Sequence, residues 1–419
     1  MRILLWHGYL LDGTGSNIYT QAVAREWARE GHDLTVVCQE PHPERFDLAG
    51  ASVVRPELPE RILPVFVIDR YEGLEARKIQ DLTPEQLDRY TEANAAALRA
   101  HLPADLIFAN HVVPGGPVAA AAAATSDRAP FAVKAHGSEL EYSMRGDGAL
   151  IARARRALAG AGAVYVGSDH IRAVLEDVVG PVARVHEVPP GVDTEKFVPQ
   201  ARDDALRDLL DECRRDPPNP GNAEERLPDE GNADRLAAFF DSPEPTVLYF
   251  GKLLRNKGVH LLLDALRDLG TRALIVGFGD YRHELEAQAP SNAIFTGPLE
   301  HRHLAHLIPL VDVTVVPSIF PEAFGMVAAE AASAGCPPLV ADHSGLAEVA
   351  AAIATEYPPP YRALASFQLG DSSDLGRKLD ALLSLPEQER CALGLRARKA
   401  VVERFSWPAV ARRLLEPFE

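Results

Sequence analysis

Two glutamates with seven residues between them, a pair of lysines and a histidine are the side chains of this sequence best placed for chemistry. Glu322 and Glu330 fall in Pro317-Ser318-Ile319-Phe320-Pro321-Glu322-Ala323-Phe324-Gly325-Met326-Val327-Ala328-Ala329-Glu330, directly after the apolar run Val311, Val313, Val315, Val316. That run reads as a buried strand ended by Pro317. Met326 to Ala334 is helix-compatible, and Gly335, Pro337 and Pro338 stop it. Glu322 then lies on a loop at a strand's carboxyl end, the N–H groups of Phe324 to Val327 open a helix, and Glu330 follows little more than one turn later. Unsatisfied N–H groups carrying partial positive charge suit a phosphate. An acid, an anion site and a second acid would suit a sugar, a diphosphate and a ribose in that order. The plain alternative is a strand-turn-helix with surface glutamates.

Other strand ends add candidates. Thr246 to Val259 reads as the start of a second strand-loop-helix series whose loop carries Lys252, Arg255 and Lys257 at the strand's carboxyl end, a cationic cluster suited to clamping a diphosphate; a solvated basic loop is the competing reading. Ala273 to Val276 is the next strand, followed by Gly277-Phe278-Gly279. In the first half, Asp105 to His111 and Phe131 to Leu140 put Asn110, His111, His136 and Glu139 at strand carboxyl ends, where open parallel sheets bind ligands. Gly13-Thr14-Gly15-Ser16-Asn17 lies in a loop between the strand Ile3–Trp6 and a helix from Ile18 to Glu30. A dinucleotide fingerprint ending at Glu40 fails there, because the third glycine position is Ile18 and the loop is too long for the tight turn. His301, His303 and His306 lack an accompanying carboxylate or thiolate pattern, so no metal site is expected.

The paired glutamates with an intervening Phe-Gly resemble the signature of the retaining glycosyltransferases of family 4, whose fold is GT-B. The resemblance implies that Glu322 contacts the donor sugar, Glu330 the ribose, and Phe324, Gly325, Met326 and Val327 the diphosphate. Gly251-Lys252-Leu253 with Lys257-Gly258 resembles the family's two-cation motif, although Lys252 stands where an arginine is usual and loses its bidentate fork. His136-Gly137-Ser138 resembles the histidine that approaches the donor sugar. By the same resemblance Gly15, Gly277, Gly279 and Leu299 lie near the donor, and Asn17, Asn110, Glu139 and Tyr142 near the acceptor. Val188 to Phe197 resembles the interdomain joint, departing from it at Pro190.

The fold expected is α/β: two doubly wound Rossmann-like domains facing a cleft. Residues 1–188 would form the acceptor domain, with a helix at about 405–419 crossing back; 189–245 would be a joint and insert, and 246–404 the donor domain. The activity implied is metal-independent, retaining transfer of a sugar from a nucleotide diphosphate-sugar, a UDP-sugar being favoured, to an unidentified hydroxyl, with no further cofactor. A GT-B epimerase or phosphorylase, or a nucleotide-sugar binder without turnover, would use the same residues.

Composition agrees. The 419 residues exceed one typical core, and 47% hydrophobic with 25% charged residues is ordinary for a globular protein. A balance of 43 basic against 60 acidic residues, −17 in all, argues against nucleic acid as a partner. Four scattered cysteines form no disulfide framework. The short apolar start reads as no signal peptide and no run reaches membrane-spanning length, so a cytoplasmic protein is expected. Arg153, Arg155 and Arg156 are the basic residues that a lipid-bearing acceptor would need.

Overall fold

Leu106–Asn110 and Val313–Val316 are buried along their whole length, the pattern of strands covered on both faces. Such strands build two all-parallel sheets. The computed structural model describes residues 1–11, 13–67, 71–124 and 129–419, which divide into one unit of residues 1–191 with 407–419 and another of residues 192–406.

In the first unit seven strands lie side by side in the order Ser52–Val54, Asp33–Val37, Arg2–Trp6, Leu106–Asn110, Phe131–Lys134, Ala163–Val166 and Val185–Glu187. Strand order therefore reverses between Arg2–Trp6 and Leu106–Asn110. Ligands of open α/β sheets bind at such a reversal, outside the carboxyl ends of the strands. The carboxyl-terminal helix Trp407–Arg413 belongs to this unit. Trp27 Nε1 donates to the Ala411 carbonyl (2.9 Å) and the Tyr165 hydroxyl to that of Leu414 (2.7 Å), while Val410, Ala411 and Leu414 are wholly buried in the same core. Trapped polar tips thus fix the helix where apolar area alone would let it slide.

The second unit has six strands in the order Ala293–Phe295, Arg272–Val276, Thr246–Phe250, Val313–Val316, Pro338–Ala341 and Ser366–Phe367. Its order reverses between Thr246–Phe250 and Val313–Val316, the two strands that feed the lysine loop and the glutamate loop.

The expected joint and insert does not stand apart. Helices Arg202–Arg214 and Asn232–Phe240 bury Leu209, Leu236, Phe239 and Phe240 in the core of the second unit. Between them Asp229 accepts two hydrogen bonds from Arg282 (2.9 and 2.6 Å), and its N–H donates to the Thr296 carbonyl (3.0 Å). Sequence reading set this stretch apart from the donor domain. One apolar face per helix and a bidentate ion pair instead make the segment part of the domain.

The first helix also begins earlier than expected, at Gly15. Gly15 and Asn17 therefore lie inside its first turn, and Asn17 is buried.

Candidate active site

At the strand reversal of the second unit, the lysine and glutamate loops are tied together through their backbones. The N–H groups of Ile319 and Phe320 both donate to the Asn256 carbonyl (2.9 and 3.1 Å). Gly258 has a positive φ of 71°, and a Cβ there would stand 1.9 Å from the Pro317 carbonyl oxygen, so the approach of the two loops requires glycine. Lys257 Nζ consequently meets Glu322 Oε1 at 2.5 Å, and the Ser318 hydroxyl donates to the same oxygen (2.9 Å). The Glu322 N–H donates to Ser344 Oγ (2.9 Å). Helix Met326–Ser333 starts just beyond, with Gly325 as its cap and, among the described residues, no side-chain cap hydrogen bond.

Glu330 sits on that helix and is 6% exposed. Burial pushes its carboxyl up to about 8, partly countered by Lys196 and assisted by Asp193. His301 Nε2 lies 3.5 Å from Glu330 Oε1, and the His301 ring is held below its usual range by burial and then by Lys196, so it faces Glu330 as a neutral imidazole. Lys252 is exposed and forms no ion pair among the described residues, its carbonyl being held by the Tyr249 hydroxyl (2.7 Å). Arg255, by contrast, is paired with Glu284 (2.9 Å) and stacked on Tyr281. Gly277 and Gly279 are demanded by packing, since a Cβ on either would strike the Gly251 or Leu253 carbonyl. Leu299 and the Phe324 side chain belong to the core; Phe324 packs its ring against Phe405, 5.1 Å between centroids, leaving backbone groups as its means of touching a ligand. Met326 and Val327 are half-buried at the helix start.

At the strand reversal of the first unit, the polar groups are histidines and amides. His7 Nε2 lies 2.8 Å from Asn17 Oδ1, and His136 Nε2 2.8 Å from Asn110 Oδ1. His111 and His136 pack 4.7 Å apart by ring centroids, with Tyr9 and Phe66 also against His111. Burial, followed by the other histidines, holds His7 down at about 3 and His136 well below the usual range. Both rings are thus neutral near pH 7. Lys134, on the adjacent strand, is 2% exposed and donates to the Val188 carbonyl (2.5 Å), with burial lowering it to about 7.

Three residues expected near an acceptor, Asn17, Asn110 and Glu139, are buried and meet histidines. Glu139 is fully buried: Oε1 accepts from the Val112 and His136 N–H groups (3.2 and 2.9 Å), and Oε2 lies 3.3 Å from His111 Nδ1. Burial raises its carboxyl, but His111 and these hydrogen bonds overcome that and leave it lowered. Asn110 is equally buried, its Oδ1 facing His136 and its Nδ2 donating to Thr20 Oγ1 (3.1 Å). A strand-end polar residue can face inward as readily as outward, and these two serve the histidines. Tyr142, in contrast, is 60% exposed.

Sequence reading passed over His7, Thr20, Lys196 and His301 as site residues. His7 immediately follows the first strand, so the strand-end rule already pointed to it; Lys196 and His301 become neighbours of Glu330 only through tertiary packing. The three closely spaced histidines diverge: His301 faces Glu330, His303 faces Asp216 at 3.0 Å, and His306 faces Gln200 at 2.9 Å. Donor atoms of Cys213, Asp216 and His303 do lie within 4.8 Å of one another. However, His303 Nδ1 accepts the Glu300 N–H (3.2 Å), so Nε2 carries the hydrogen, and Asp216 also takes the Arg302 guanidinium. A metal ligand needs the opposite arrangement, a bare Nε2 and a donating Nδ1. These contacts clasp helix Arg202–Arg214 to helix His301–Leu307.

Comparison with known proteins places this geometry. Residues 14–191 match the glycosyl transferase 4-like domain and residues 232–399 match glycosyl transferases group 1. A D-inositol 3-phosphate glycosyltransferase of Xylanimonas cellulosilytica is 33% identical over 177 residues, 40% of this chain and 37% of the relative. A GDP-mannose-dependent alpha-mannosyltransferase of Mycobacterium tuberculosis is 29% identical over 248 residues, 59% of this chain and 54% of the relative. The chain thus spans between a third and a little over half of these relatives. A Rickettsia africae glycosyltransferase superposes with a TM-score of 0.70 at 16% identity, over 100% of this chain and 97% of that one. Anabaena HepE in complex with UDP and glucose gives 0.63 at 18% identity, covering 99% and 98%. With both family models matched in order and the fold shared end to end, the chain belongs to the GT-B glycosyltransferases of the family 4 type.

Proposed function

We propose that this protein transfers a glycosyl group from a nucleoside diphosphate sugar to an acceptor hydroxyl, with retention at the anomeric carbon and without a metal ion. The observation that carries the reading is the Lys257–Glu322 pair held beside the uncapped start of helix Met326–Ser333. In the reaction the bond from the anomeric carbon to the diphosphate oxygen breaks and one to the acceptor oxygen forms. The acceptor's proton passes to the leaving phosphate. Negative charge grows on that phosphate as the carbon becomes cationic, so Lys257, Lys252 and the helix N–H groups would stabilise the transition state more than the ground state. Those fixed positive groups are why a divalent ion is not required.

Retention fits the state of Glu322. Its carboxylate is engaged by Lys257 and Ser318 and is better suited to binding sugar hydroxyls than to attacking carbon. Glu330, buried with His301 and Lys196 as neighbours, is suited to bond ribose hydroxyls. Relatives that use GDP-mannose and a fold neighbour bound to UDP and glucose support a nucleotide sugar as donor, and a UDP-sugar is the first to try.

The test is a thermal-shift and product screen against UDP-, GDP-, ADP- and TDP-sugars in buffer containing EDTA. One nucleotide sugar should stabilise the protein and yield an α-linked product. Binding of none of them, inversion at the anomeric carbon, or turnover abolished by EDTA would each overturn the corresponding part.

A further inference from the structure

We propose that Thr20 and Asn110 are positioning residues that lock His136 in the tautomer with hydrogen on Nε2, leaving Nδ1 as a fixed acceptor for a hydroxyl of the bound sugar. The sugar as ligand rests on the transferase reading above; the relay rests on hydrogen-bond polarity alone.

The chain of bonds has one possible direction. Thr20 Oγ1 lies 2.7 Å from the Ser16 carbonyl oxygen, which can only accept, so the single hydroxyl hydrogen is committed there. Toward Asn110, Thr20 can then only accept, and the atom 3.1 Å away must be the amide nitrogen. The amide oxygen is thereby turned to His136 Nε2 at 2.8 Å. Two acceptors cannot bond, so Nε2 carries the hydrogen. Nδ1 of the neutral ring is bare and has no partner among the described residues. A carbonyl of the first turn of helix Gly15–Arg29 has thus dictated a proton position three hydrogen bonds away.

The surroundings keep the ring both neutral and still. Asn110 and Thr20 are 0% exposed, so water does not compete for the relay. The His136 N–H is held by Glu139 Oε1 (2.9 Å), and Tyr19 meets the ring edge-on at 5.1 Å. The titratable groups facing His136 are His111, Lys134 and His7, each opposing a proton on it, together with Glu139 on its backbone and Tyr19. In this arrangement His136 receives a hydrogen bond and gives none from Nδ1. It would therefore select for a hydroxyl, or another donor group, and reject a bare acceptor at the same point.

The experiment is 15N-histidine NMR of the full chain, with His136 assigned by loss of its signals in H136Q. Donor kinetics are run in parallel with UDP-glucose, GDP-mannose and ADP-glucose. The wild type should show an Nε2–H signature. Thr20→Val should give mixed tautomers and raise the donor KM about tenfold, the scale of one lost buried hydrogen bond, whereas Thr20→Ser keeps both values. Asn110→Asp places a carboxylate on Nε2, so His136 should hold a second proton at higher pH and the acid limb of the rate profile should move up. An Nδ1–H signature in the wild type, or an unchanged tautomer in T20V, overturns the proposal even if the enzyme is active. A wild type with the Nε2–H signature that binds none of the three donors refutes the sugar as ligand, and T20V still decides the relay.

Discussion

The two strand-reversal regions use polar side chains in opposite ways. In the first unit they are spent on one another: Asn17 on His7, Asn110 on His136, Glu139 on His111 and two backbone N–H groups. What remains at His7 and His136 is a pair of neutral rings packed among other aromatic rings. In the second unit positive charge is kept at the loops: Lys252 forms no ion pair among the described residues, and Lys257 meets Glu322, whose same oxygen also accepts from the Ser318 hydroxyl. A region that must hold a hydroxyl in one orientation gains from fixed dipoles, and a region that must receive an anion gains from fixed cations. The contrast lies in chemistry, since both regions occupy the same topological position in their sheets.

Breaking the charged side should have the largest effect. Lys257→Ala or Glu322→Ala should cut transfer about 10³-fold, roughly 4 kcal/mol of transition-state stabilisation, with unfolding temperature little changed; near-normal turnover in a folded variant would contradict the assignment. The two regions should next separate by pH. His7 is depressed to about 3 in the fold from 6.5, so its contribution to stability is complete above pH 6.5 and is lost as pH falls toward 3. Glu330 is raised to about 8 from 4.5, so its contribution is complete below 4.5 and is lost as pH rises toward 8. Each limb is on the order of a few kcal/mol. In denaturant melts across this range, Glu330→Gln should flatten the alkaline limb alone and His7→Gln the acid limb alone; one variant flattening both would dissolve the distinction.

Smaller effects sharpen the comparison. Gly258→Ala meets the Pro317 carbonyl at a positive φ and should lose about 2–3 kcal/mol. Gly13→Ala, at φ 92° with nothing within 4 Å, should lose about 1 kcal/mol. Equal losses in thermal unfolding would mean that close approach of the loops is not what Gly258 provides. Lys252→Ala, which removes an exposed cation, should raise donor KM about tenfold at low salt and less at high salt. A salt-independent effect would indicate a packing role.

Apolar runs and turn residues alone carried the alternation of strands and helices, the strand ending at Val316, and the loops that hold Lys257 and Glu322, because strands and helix starts are local patterns of apolar spacing and backbone sterics. The types of residue at those ends already implied a diphosphate-sized anion site. Packing alone decided the rest. Residues 202–240 joined a core through apolar faces that look sparse in a polar sequence. Asn110 and Glu139 turned inward because neighbouring strands offered them histidine partners. His301 came to Glu330 across twenty-nine positions of chain, and a threonine hydroxyl set the hydrogen of a histidine on another element. Spacing along a chain names which groups are near a strand's end. Only the folded neighbours determine which of their lone pairs and hydrogens remain free.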